Sequence, residues 1–277
     1  MQNITFSGGD VVPALGMGSR NMGEDPASQA AAVATIQAGI DAGLRVVDTA
    51  EMYGDGASEC MIGKAISGRR DRVFLVSKVY PHNAGRNTIK AACEASLKRL
   101  DTDRLDLYLL HWRGAVPFAE VLEGLLALQE SGKIRCFGVS NLDTAAMEQW
   151  WRLPGGADVA TDQILYNLSR RAVELDLLPW CRAHSVPVMV YSPLEQGRLL
   201  NDARLLAFAE RHAITPAHVA LGWLLVQDGI LAIPKTSNLK RLQENLRAAQ
   251  QPLSLVQCAE LEHLFPAPST PHPLEML

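Results

Sequence analysis

The sequence of 277 residues contains no run of about 18 apolar residues, so nothing in it reads as a membrane-spanning helix. Its opening, MQNITFSGGD, has neither the basic start nor the long apolar stretch of a secretion signal, which makes the cytoplasm the expected compartment. The five cysteines, at 60, 93, 136, 181 and 258, are odd in number, widely spaced and without a C-x-x-C pair. A disulfide framework and a zinc knuckle are therefore unsupported; buried structural thiols are expected, and no metal. Excess positive charge is missing too. With 26 Lys and Arg against 30 Asp and Glu, no general field draws in nucleic acid or anionic lipid, and any anion must be met locally. No linker interrupts the chain. Residues 1–277 are thus expected to form one domain, within the size range of single α/β barrels.

What is present is alternation. Apolar, strand-like runs read LGMGS, RVVDTA, VFLVSKV, LDLYLLH, IRCFGVS, VATDQIL, PVMVYSP and ILAIPKT, with segments of helical period between them. In NTIKAACEASLKRL, for example, Ile89, Cys93, Leu97 and Leu100 fall on one helical face behind Asn87 as the expected N-cap. Strands apolar on both faces belong to parallel sheets, and eight β-helix units point to an α/β fold, a closed (β/α)8 TIM barrel. ITFSGGDVVPAL reads as an N-terminal β-hairpin around Gly8 and Gly9 that caps the bottom of the barrel. The long seventh connection predicts an extra helix near DARLLAFAERH, after strand 7, and further helix is expected at the C-terminus. The Pro-rich tail FPAPSTPHPLEML is expected on the surface, partly mobile.

Barrel chemistry sits where the strands end at their C-terminal side. Those ends carry Asp48, Lys78, His111, Ser140 with Asn141, Gln163, Tyr191 with Ser192, and Lys235 with Thr236. A tyrosine phenol is a poor acid at neutral pH unless a neighbouring ammonium favours the phenolate, and Lys78 is placed to lower the Tyr53 pKa in that way. Asp48 would keep Lys78 charged. With His111 able to bond the same oxygen, Tyr53 becomes a proton donor to a substrate carbonyl. A hydride donor completes the chemistry.

The ordered motifs DTAEMYG, SKV, LLHW, GVSNL, YSPL and IPKTSNLKRLQEN resemble the aldo-keto reductase family across essentially the whole chain. Within it, LVSKVYP, LDLYLLHW and LPGG are similar to bacterial reductases of small dicarbonyls such as methylglyoxal. The resemblance implies a (β/α)8 barrel that reduces aldehydes and ketones with a nicotinamide dinucleotide, using Asp48, Tyr53, Lys78 and His111. It further implies that Ser140, Asn141 and Gln163 hold the nicotinamide carboxamide, that Tyr191 stacks on the ring, and that Ser192, Leu194 and Gln196 follow the pyrophosphate. Lys235, Thr236, Ser237 and Arg241 resemble a clamp on a 2′-phosphate, and Glu244 and Asn245 match adenine contacts. NADPH is accordingly expected over NADH. Tyr53, His111 and Trp112 would line the substrate pocket.

Two departures from the family bear on substrate. GMGSRNMGED places Arg20 or Asn21 where relatives often have a tryptophan, and Arg20 would favour carbonyl compounds bearing a carboxylate or phosphate. HWRGAVP and SPLEQGRLL are short, which implies an open pocket for small or varied carbonyls. A monomer or weak homo-oligomer is expected. Two other readings stay open at this stage: a Schiff-base aldolase using Lys78 with a phosphate site at Lys235 to Ser237, and a non-catalytic cofactor-binding subunit. Gly16, Gly18 and Gly23 have the wrong spacing for a Rossmann loop. Trp150, Trp151 and Leu153 are read as packing beneath the fifth helix, and His82 as a residue near the third strand end.

Overall fold

The computed structural model describes residues 2–270 and 272–277; Met1 and, within the tail, Pro271 lie outside the described residues. Apart from a first two-stranded hairpin, the sheet is parallel throughout, because each strand is buried on both faces and returns through a helix. The hairpin is β1 (Asn3–Thr5) and β2 (Val11–Pro13), paired antiparallel. The barrel strands are β3 (Met17–Gly18), β4 (Val46–Asp48), β5 (Phe74–Val79), β6 (Leu105–Leu110), β7 (Ile134–Ser140), β8 (Asp162–Leu165), β9 (Val188–Tyr191) and β10 (Ile230–Ala232). They pair in sequence order as one eight-stranded sheet. Parallel bridges Leu15 to Ala232 and Gly18 to Lys235 join its two edges, with Gly18 N–H donating to Pro234 O at 3.1 Å, so the barrel closes.

The helices are α1 (Pro26–Asp41), α2 (Ala57–Ile66), α3 (Ile89–Leu100), α4 (Phe118–Glu130), α5 (Thr144–Trp151), α6 (Leu177–Ala183), α7 (Ala203–Arg211), α8 (Pro216–Leu225), α9 (Leu239–Gln250) and α10 (Leu255–Leu264). Of these, α7 is the extra helix after the seventh barrel strand and α10 the one at the C-terminus. Side-chain caps start many of them: Asp25, Asp143, Asp202, Thr215 and Asn238 each accept from a first-turn N–H, and Ser254 with Gln257 forms a capping box. The expected cap at Asn87 is not made. Thr88 precedes α3 without a side-chain bond to the helix's first turn, and its hydroxyl donates to Asn83 O and Gly85 O instead.

The hairpin lies over the N-terminal rim. Phe6 stacks on Phe74 at 4.9 Å, Val11 O accepts from Arg45, and Ser7 donates to Asp158 O. That leaves the opposite rim, where the polar strand ends collect, uncovered by it. All five cysteines are free; 93, 136 and 181 are buried as expected, whereas Cys60 is exposed and Cys258 half-buried, so the expectation of buried thiols holds for three.

Candidate active site

Lys78 sits on β5 with no exposure to solvent. Its Nζ donates to Asp48 Oδ2 at 2.7 Å, to Thr49 O at 2.8 Å and to Tyr53 Oη at 3.2 Å, so each of its three protons has an acceptor. Burial works against the charge, but Asp48 and Tyr53 outweigh it and hold the ammonium above the ordinary lysine range. Behind the pair, Ser19 Oγ donates to Asp48 O at 2.8 Å and Ser58 Oγ to Ser19 Oγ at 2.8 Å, which braces the end of β4.

Tyr53 reaches this cluster from a turn whose glycines adopt left-handed angles, Gly54 at φ 57° and Gly56 at φ 88°. The expected lowering of its pKa is not the net effect. Burial raises the phenol, Lys78 pulls it back only in part, and it stays above its ordinary value. Since Lys78 donates to the phenol oxygen, the phenol's own O–H is left to point elsewhere.

His111 follows β6, its N–H held by Val79 O at 3.1 Å and its ring edge-on to Tyr53 at 5.9 Å. Burial, then the charges of Lys78 and Arg20, lower its pKa from 6.5 to about 2, so the imidazole is neutral at physiological pH. The unfolded chain therefore binds a proton between pH 6.5 and 2 that the folded chain refuses, and this contribution to stability is lost as pH falls through that window. His111→Gln should flatten the acid loss of stability by up to about 1.4 kcal/mol per pH unit. Urea unfolding at pH 7 and pH 5 measures it; parallel losses in the two proteins would count against the buried neutral imidazole.

Beside His111 stand aromatic neighbours. Trp112 lies 4.8 Å from His111 and 5.7 Å from Tyr80, on which His82 stacks at 4.8 Å. Glu51 Oε1 takes the Tyr80 N–H at 2.6 Å and Asn83 Nδ2 at 3.2 Å, fixing that wall.

Across the barrel, Ser140 Oγ donates to Gln163 O at 2.7 Å, and Asn141, at φ 59°, donates to His111 O and Ser140 Oγ. Tyr191 Oη donates to Asn141 Oδ1 at 2.8 Å, and Gln163 Nε2 to Asp48 Oδ1 at 2.8 Å. The two halves of the expected site are thus in direct contact. Ser192, Leu194 and Gln196 form the loop after β9, where Ser192, Glu195 and Gln196 all have positive φ. Lys235, Thr236, Ser237 and Arg241 surround the N-terminus of α9, where Asn238 Oδ1 accepts from the Arg241 N–H at 3.1 Å. Glu244 and the buried Asn245 follow on the same helix.

Several residues that the sequence did not single out hold this rim together. Glu195, buried in the β9 loop, accepts from Asn167 at 2.8 Å, Arg170 at 2.9 Å and Arg198 at 2.8 Å. Burial raises its carboxyl, but those partners prevail and keep it below its ordinary value. Arg170 also pairs with Glu275 of the tail. Arg20 Nη1 donates to Leu277 O at 3.1 Å, and Leu274 packs against the core. The tail is therefore on the surface, as expected, yet tied down at two arginines. The charge of Arg20 reaches Tyr53, His111 and Tyr191, which sets it at the edge of the same site.

Comparison with known proteins agrees with this geometry. Methylglyoxal reductase YeaE of Escherichia coli is 48% identical over 279 residues, covering 99% of this chain and 98% of that protein. Glyoxal reductase of Bacillus subtilis is 34% identical over 77% of this chain and 76% of its own length. A Klebsiella pneumoniae aldo/keto reductase, solved with NADP and acetate, superposes with a TM-score of 0.97 at 47% identity over 99% of both chains. Residues 14–265 match the aldo/keto reductase family. The chain belongs to that family, and it is an oxidoreductase.

Proposed function

We propose that this protein reduces small aldehydes and ketones, methylglyoxal among them, to alcohols with NADPH, and that residues 1–277 act as one unit in the cytoplasm, as a monomer or weak homo-oligomer. The observation that carries the reading is the saturated Lys78 ammonium, which spends one of its three bonds on the Tyr53 phenol oxygen. When bound, the nicotinamide supplies the hydride. Tyr53 supplies the proton: as its O–H passes to the carbonyl oxygen, the phenolate left behind is stabilised by the Lys78 N–H it already accepts. His111, neutral, donates a second hydrogen bond to the same oxygen, and Trp112 walls the pocket.

The cofactor contacts follow the chemistry of the donor set. Gln163 and Asn141 offer amide groups to a carboxamide, Ser140 Oγ holds the Gln163 backbone carbonyl and the Asn141 side chain, and Tyr191 offers a ring face. Ser192, Leu194 and Gln196 present a loop to the pyrophosphate. Lys235, Thr236, Ser237 and Arg241 gather two cations and two hydroxyls at the start of α9, where first-turn N–H groups also favour an anion. Glu244 and Asn245 would meet the adenine. An imine-forming role for Lys78 is disfavoured, because a lysine held cationic by three acceptors has no free electron pair. Borohydride trapping with a carbonyl substrate separates the two: no lysine adduct is expected. A panel of aldehydes, dicarbonyls and sugars assayed by NADPH consumption tests the activity, with turnover of small dicarbonyls expected and inertness towards all of them refuting it.

Arg20 is assigned to the substrate mouth. Among the described residues, four of its five N–H protons are left after the bond to Leu277 O, enough to meet a substrate carboxylate or phosphate. Arg20→Leu should lower kcat/KM for an aldehyde bearing a terminal carboxylate about tenfold relative to the neutral aldehyde of equal length. An unchanged ratio between the two substrates removes Arg20 from substrate recognition.

A further inference from the structure

Asp48 accepts two bonds, not one. Its Oδ2 takes Lys78 Nζ at 2.7 Å, and its Oδ1 takes Gln163 Nε2 at 2.8 Å from the far side of the barrel. Asp48 is 2% exposed and Gln163 1%, so neither bond is shared with bulk water. Because a carboxylate paired with an ammonium only accepts, the Gln163 group facing it must be the NH2, whose Nε2 also lies 4.0 Å from Met189 Sδ. The orientation of the Gln163 amide is thereby fixed, and its Oε1, which has no partner among the described residues, is the acceptor it presents to the cleft.

We infer that Asp48 is a positioning residue for the cofactor as well as the counter-ion of Lys78: by holding Gln163 Nε2, it turns Oε1 towards the NH2 of the nicotinamide carboxamide and so selects how that group lies. This rests on the proposed use of a nicotinamide cofactor by Gln163. Its consequence is that one carboxylate wires the proton-donating cluster to the hydride-donating side. With Lys78 engaged at Oδ2 and Gln163 at Oδ1, neither end of Asp48 can change partners alone.

Asp48→Asn separates this role from a purely structural one. Lys78 takes the new amide oxygen, so the Asn nitrogen faces Gln163, whose amide must invert to accept from it and then offers N–H to the cleft. The probes are NADP+ and its 3-acetylpyridine analogue, in which a methyl replaces the carboxamide NH2, with dissociation constants read by tryptophan fluorescence. The natural protein should prefer NADP+ by about tenfold, the loss expected when one buried acceptor faces a methyl. In D48N that preference should vanish or reverse. Asp48→Ala, which frees the Gln163 amide without inverting it, should give an intermediate ratio and carries the test if D48N does not fold. In a Gln163→Ala background, D48N should leave the ratio unaltered. A wild-type ratio in both Asp48 variants overturns the inference while leaving cofactor use intact. Failure of the natural protein to bind either nucleotide overturns the proposed function instead, and the inference with it.

Discussion

Tyr53→Phe keeps NADPH affinity and lowers kcat by about 10³-fold, within the range contributed by one well-placed general acid. The substitution removes a single oxygen that lies beside Lys78 Nζ and leaves the ring, its edge contact with His111 and the glycine turn in place. Lys78 keeps Asp48 and Thr49 as acceptors, so the ammonium remains held and little rearrangement is expected. The neutral His111 cannot replace the lost proton, since its own pKa of about 2 leaves no imidazolium at working pH. The pH profile of the natural protein carries the same logic. With Tyr53 as the proposed proton donor, reduction would need the phenol protonated; burial sets its pKa above the ordinary 10.0, so kcat should stay level through neutrality and fall only on the alkaline side of that value. Lys78→Met removes the one strong influence that opposes burial, and it should move that alkaline limb further up while lowering kcat on the plateau. Steady-state rates with saturating NADPH and fluorescence titration of the cofactor measure both parts; near-normal turnover by Tyr53→Phe would overturn the assignment of the proton donor.

The barrel was legible because its strands are buried on both faces, which leaves predominantly apolar runs such as FLVSKV and LDLYLL in which the few polar residues stand out. Asp48, Lys78 and His111 were visible as polar residues at the ends of such runs, and the structure brings them together with Tyr53. Sequence pattern was less informative wherever the partner lies far along the chain. Nothing in the spacing of Asp48 and Gln163, 115 positions apart, announces a bond between them. The Glu195 cluster was missed for the same reason, since a glutamate in a short loop reads as solvated until Asn167, Arg170 and Arg198 close on it. The tail lacks any periodicity because two side-chain anchors, not an element, hold it. The sign of the Tyr53 shift depended on how much water is excluded, and burial is a property of the closed barrel, not of the local sequence. The Asn87 cap failed for a smaller reason: two residue types with similar capping ability stand side by side at 87 and 88, and the helix begins after the second.

Lys235→Ala combined with Arg241→Ala weakens NADPH by about 100-fold and NADH by less than threefold, taking each lost charge-assisted bond to a phosphate at about 1.5 kcal/mol. The two side chains are exposed and stand at the start of α9, whose first turn is organised by Asn238 and, through it, Thr236. That backbone frame does not depend on either charge, so the helix should survive the double substitution. In a chain of net charge −4, this local pair of cations opposes the overall field. The affinity gained from it is therefore sensitive to ionic strength, and NADPH binding by the natural protein should weaken with added salt more steeply than NADH binding, with the difference largely abolished in the double variant. Paired titrations of both nucleotides at two salt concentrations decide the matter. An equal loss for the two cofactors would mean that these residues support the fold of the β10 to α9 corner and do not read the 2′-phosphate.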